Sequence, residues 1–118
     1  MDKVRQKALK LTYKQAFPAM GLFAIRNLET GQVLIDKSTN LPGSINRHRM
    51  ELRFGTHRSR TLQEDWNRYG EGAFNFEELE RIKERSEPDF NYLVELERIL
   101  AERLAQFEKA EENFYSIR

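Results

Sequence analysis

Two short β-prone runs, Leu22-Phe23-Ala24-Ile25-Arg26 and Gln32-Val33-Leu34-Ile35-Asp36, flank the loop Asn27-Leu28-Glu29-Thr30-Gly31. A loop of this length with a late glycine reads as a hairpin, which commits the chain to an antiparallel sheet. The sheet must then be covered. Ser44 to Phe54 reads as a helix closed by Gly55 at C′. Thr61-Leu62-Gln63-Glu64 reads as a capping box opening a second helix, with Leu62, Trp66 and Tyr69 on one face and a stop at Gly70. Phe74-Asn75-Phe76 alternates as a third strand running towards Leu79. After the polar loop Lys83 to Pro88, Asp89 can cap a long helix carrying Leu93, Leu96, Leu100, Leu104 and Phe107 on one stripe. Asp2 to Ala16 reads as a basic amphipathic arm with Val4, Ala8 and Leu11 at helical spacing.

The resulting fold class is α+β: a small three-stranded antiparallel sheet flanked by helices, with an N-terminal helical arm (residues 1–20) and a single domain over residues 21–118. With 118 residues, 39% hydrophobic and 33% charged, the chain supports one core. The periodicities assign that core to Leu22, Ile25, Val33, Ile35, Ile45, Leu52, Leu62, Trp66, Phe74, Phe76, Leu93, Leu96, Leu100 and Leu104. The longest run free of charged and strongly polar residues, Ala16 to Ile25, is too short to span a membrane. The charged N-terminus argues against export, so a cytoplasmic location is expected. With no cysteine, disulfides, thiolate zinc sites and cysteine nucleophiles are excluded.

The net charge of +1 conceals an asymmetry. Residues 1–60 hold 12 Lys+Arg against 4 Asp+Glu, and residues 61–118 hold 8 against 15. A polyanion should therefore meet the first half. That half contains Arg47, Arg49, Arg53, Arg58 and Arg60, interleaved with both histidines. Planar guanidinium forks suit phosphate oxygens, although a solvated basic face has the same composition. His48 and His57 could flank a phosphate or polarise a water, or could be ordinary core histidines; their spacing matches no standard zinc pattern. Glu97 falls between Leu93 and Leu100. There it is paired, hydrogen-bonded or metal-bound if it faces the core, or solvated if it sits at the stripe edge.

The chain resembles the GIY-YIG nucleases. Gly21-Leu22-Phe23 stands where that family has Gly-Ile-Tyr, and Leu34-Ile35-Asp36 where it has Tyr-Ile-Gly. Ser38-Thr39-Asn40-Leu41, Gly55-Thr56-His57, Leu62-Gln63-Glu64-Asp65-Trp66-Asn67 with Tyr69-Gly70, and Phe74 to Glu80 follow in the family's order. The resemblance covers about Gly21 to Leu100. It implies a central three-stranded antiparallel sheet, DNA as the partner, and cleavage assisted by one Mg²⁺ or Mn²⁺ held by a glutamate. Glu97 falls on that glutamate, His48 on the helix histidine and His57 on a histidine of some members. Phe23 and Leu34 replace the two tyrosines, Asp36 replaces a glycine, and Ser44 stands at the arginine position.

These replacements remove both hydroxyls that could orient a water and one charge stabiliser. A positioned acid–base group contributes ~10²–10⁴-fold, and a lost charge stabiliser costs on the order of 3 kcal/mol. The expectation is thus a nuclease-like nucleic-acid-binding domain with weak or no cleavage. The alternatives are an active divalent-metal-dependent DNA endonuclease, and a protein-interaction module using the acidic half or the Leu93–Phe107 helix.

Overall fold

The computed structural model describes residues 17–110 and 113–115, so the expected helical arm over Asp2 to Ala16 lies outside the described residues. The hairpin forms as the sequence dictates. Strands β1 (Met20–Asn27) and β2 (Val33–Ser38) pair antiparallel, with Phe23 opposite Asp36 and Ile25 opposite Leu34. Asn27 closes the loop: its Oδ1 accepts the Glu29 N–H at 2.8 Å, and Gly31 turns the chain at φ 81°. Strand β3 (Phe74–Ile82) pairs with the other edge of β1, giving the order β2-β1-β3.

Between Leu22 and Phe23 the β1–β3 register shifts by a bulge. Gly21 stands beside it, where a Cβ would lie 1.9 Å from the Glu80 carbonyl oxygen. Only a residue without a Cβ lets the two backbones approach this closely. Gly21→Ala is expected to cost about 2–3 kcal/mol by forcing β1 and β3 apart. Urea unfolding checks this, and an unchanged midpoint would show that the strands give way freely.

Strand alternation sorts the core into two sides. Phe23, Ile25 and Leu34 face helices α1 (Leu41–Phe54) and α2 (Arg60–Tyr69), packing with Leu52, Leu62 and Trp66. Leu22, Ala24, Val33 and Ile35 face helix α3 (Tyr92–Lys109), which lays Leu96, Ile99, Leu100, Leu104 and Phe107 over the sheet. The chain then returns to β2: Phe114 forms a parallel bridge with Val33, and the Tyr115 hydroxyl donates to Asp65 at 2.6 Å and accepts from Asn27 at 2.9 Å. Burial, with Asp65 alongside, pushes the Tyr115 hydroxyl up to about 12, so it remains a donor at neutral pH. No helix among the described residues is long and apolar enough to cross a membrane.

The helix starts correct the sequence reading. Helix α1 begins at Leu41, because Asn40 caps it by accepting the Gly43 N–H; Pro42-Gly43-Ser44 is its first turn, where proline costs nothing. Ser59, not Thr61, caps α2, and Asn91, not Asp89, caps α3. In each case several polar side chains competed for one cap. Leu93 is 58% exposed, Tyr69 also reaches the surface, and Ile99 takes the core place expected of Leu93. Ile45, Phe76, Leu100 and Leu104 are half-buried against the core.

Candidate functional site

The chain brings its two histidines together by stopping a helix. Gly55 at φ 77° ends α1, and the Thr56 N–H closes back on the Glu51 carbonyl at 2.9 Å. This returns His57 to His48, nearly two turns before the helix end at Phe54. Gln63 locks the return: its Oε1 accepts the His57 N–H at 3.1 Å while its Nε2 donates to the Leu52 carbonyl at 3.0 Å. His48 Nδ1 and His57 Nε2 then lie 2.7 Å apart, with the two residues 2% and 8% exposed.

The tautomers follow from the chain of donors. The Ser59 N–H points at His57 Nδ1 at 3.0 Å, so that nitrogen is an acceptor. Neutral His57 therefore carries its proton on Nε2 and donates it to His48 Nδ1. Neutral His48 must then carry its own proton on Nε2, which is buried and has no hydrogen-bond partner among the described residues. A buried unpaired donor costs about 1–3 kcal/mol. Burial is the main cause holding His48 down to about 4, helped by His57, Arg47 and Arg58. Burial also lowers His57, while Glu51 partly opposes it. Both rings are thus neutral at pH 7 and act as hydrogen-bonding groups, not cations.

His48 packs against Phe23, with ring centroids 5.2 Å apart. Phe23 and Leu34, which stand at the tyrosine positions of the resemblance, are fully buried core side chains. No hydroxyl comes from either position. Ser44, at the arginine position, has its hydroxyl paired with that of Ser38.

Beside this core, at the end of β2, opens a cleft of about 260 Å³. Ser44 and Arg47 of α1 line one side and Leu93 and Leu96 of α3 another, with Asp36 and Lys37 from β2. The arginine cluster is not one grip. Arg47, Arg58 and Arg60 are exposed, with no ion-pair partner among the described residues, and Arg47 stands in the cleft. Arg53 is held by Glu71 through two contacts of 2.9 and 2.6 Å, and the Arg49 guanidinium lies 4.5 Å over the Phe76 ring. Sequence proximity could not show which arginines fold back on their own chain.

Glu97 is exposed on α3. The buried stripe centres on Leu96, Ile99 and Leu100, which leaves Glu97 at its solvated margin; it is not a core acid. It stands on α3, which covers the opposite face of the sheet from α1 and its His48. Among the described residues, His48, Glu51 and His57 form a group whose potential ligand atoms lie within 4.8 Å of one another. Glu51 escaped the sequence reading, although its place three residues after His48 was a signal. This group does not fit an ion as it stands. A metal on His57 Nε2 would move the ring proton to Nδ1, setting it against the Ser59 N–H. Glu97 instead offers one free carboxylate of the kind Mg²⁺ uses when waters and substrate phosphates complete its shell.

Two solved structures are similar to this one. A mutant of the catalytic domain of the intron endonuclease I-TevI matches with a TM-score of 0.62 and 24% identity, over 85% of this chain and 94% of that one. The catalytic domain of the homing endonuclease I-TevI matches with a TM-score of 0.55 and 26% identity, over 73% and 88% of the two chains. No protein-family model and no curated protein sequence matches the chain. The α+β architecture expected from the sequence is thus the fold of the GIY-YIG domain of I-TevI, and the resemblance to that family holds in three dimensions.

Proposed function

We propose that the protein is a GIY-YIG endonuclease-like domain that binds nucleic acid, DNA being the polymer the resemblance implies, and cleaves it weakly or not at all. A cytoplasmic setting belongs to this reading. The observation that carries it is the content of the site. Arg47 and Arg58 surround a buried, neutral imidazole pair, and the two positions where the family supplies hydroxyls are filled by the fully buried Phe23 and Leu34. Arginine forks and Lys37 attract phosphates, so the basic half holds the polyanion. The neutral His48 holds its proton on a buried nitrogen facing no acceptor, so it has no route to pass that proton to a leaving group.

A divalent cation, if bound, would be held by Glu97 and would neutralise charge on a phosphate. Arg47 takes up part of that task, one turn beyond Ser44 and lining the same cleft. Supercoiled plasmid incubated with the protein and Mg²⁺ or Mn²⁺ should be retarded on a gel without being nicked. Nicking that disappears in Glu97→Ala would establish an active metal-dependent endonuclease instead.

A further inference from the structure

We propose that the cleft at the end of β2 takes one nucleotide of single-stranded RNA, with Arg47 on a phosphate and Asp36 accepting a hydrogen bond from the neighbouring 2′-hydroxyl. This inference rests on the nucleic-acid reading and narrows it to the sugar.

A site for phosphate alone has no use for a carboxylate. Yet Asp36 lines the same cleft as Lys37 and Arg47, half-buried and ion-paired with neither among the described residues. One of its oxygens accepts the Lys37 N–H at 2.8 Å. The other has no partner among the described residues, and an ionised carboxylate can only accept. A ligand that suits this cleft therefore carries an anion for Arg47 and, next to it, a donor for Asp36.

In a ribonucleotide the 2′-hydroxyl adjoins the 3′-phosphate, and it both donates and accepts. In deoxyribose the same position offers nothing, so Asp36 adds only repulsion of the phosphate. Leu93 gives the cleft an apolar wall for the rest of the sugar or a base. That wall gives the 58%-exposed Leu93 a role its position on α3 otherwise lacks. At about 260 Å³ the cleft has room for part of one strand.

Fluorescence anisotropy on labelled single strands tests this. The strands are RNA, DNA and 2′-O-methyl RNA of one sequence free of uridine and thymidine, so that only the sugar differs. The unmodified protein should bind RNA about tenfold more tightly than either of the others, the worth of one hydrogen bond to a charged acceptor. The 2′-O-methyl strand makes this comparison without any variant. In Asp36→Ala the preference should collapse, with DNA affinity rising and RNA affinity falling towards it. Asp36→Asn, which keeps an acceptor in the same place, should retain part of the preference. Equal binding of RNA and DNA by the unmodified protein, or a preference surviving Asp36→Ala, overturns the assignment while leaving the nucleic-acid reading standing. Failure to bind any of the three strands while duplex DNA is still retained overturns the assignment alone; failure to bind duplex DNA as well overturns both.

Discussion

Lowering the pH from 7 to 5 is expected to destabilise the protein by about 2 kcal/mol through His48 alone. The folded protein holds His48 at about 4, against 6.5 for the free side chain, and His57 is lowered as well. A group depressed in the folded state contributes stability that is complete above its unfolded value. That contribution is lost as the pH falls from 6.5 towards the folded value. The cause is geometric. Protonating either ring charges a buried imidazole beside Arg47 and Arg58; on His48 the new proton enters the 2.7 Å contact, and on His57 it is set against the Ser59 N–H. Glu51 offsets only the His57 share. Urea unfolding at pH 7, 6 and 5 measures the effect. His48→Gln, which keeps an acceptor for the His57 Nε2 proton, should remove most of the difference between pH 7 and 5. An unmodified protein with equal stability at pH 7 and 5 would contradict the buried, neutral pair.

The second large effect concerns the arginines that remain free. If Arg47, Arg58 and Arg60 neutralise about three phosphates of a duplex, binding should weaken roughly 40-fold between 50 and 200 mM salt. Replacing all three with alanine should abolish most of that salt dependence as well as the affinity. The structure also supplies a control that composition could not. Arg53 and Glu71 already neutralise one another, so changing both to alanine should leave the salt slope where it was. Charge count alone would assign Arg53 the same weight as Arg58. A slope that falls equally in the control and in the triple variant would show that the whole basic half acts as a diffuse field.

The hairpin was legible because a loop length and a glycine fix strand pairing locally, without help from the rest of the chain. The three-stranded sheet and its flanking helices followed from the same alternation. The face of α3 was misjudged because Leu93 and Ile99 both fit a helical stripe. Only the position of the sheet beneath it decides that Ile99 is buried and Leu93 lines a cleft. The same tertiary choice put Glu97 at the solvated edge of the stripe, one of the two places its spacing allowed. His48 and His57 were visible as candidates, but their contact depends on Gly55 and Gln63 folding the chain back, a non-local result. Ser59, which fixes their tautomers, carried no signal beyond its capping potential. The division of the arginines was equally hidden, since Glu71 lies 18 residues from Arg53 and Phe76 lies further still from Arg49. Asp36 stood out only as a departure from the Tyr-Ile-Gly motif. Its neighbours in space, Arg47 and Leu93, come from two different helices.

The most direct measurement is a duplex DNA titration at several salt concentrations, with and without Mg²⁺, scored for both retention and cleavage. A log–log slope of about −2.7, intact DNA in every Mg²⁺ lane, and a slope flattened by the Arg47, Arg58 and Arg60 substitutions are the expected results. Binding that is absent or indifferent to salt would contradict the account, as would robust Mg²⁺-dependent cleavage by the unmodified protein.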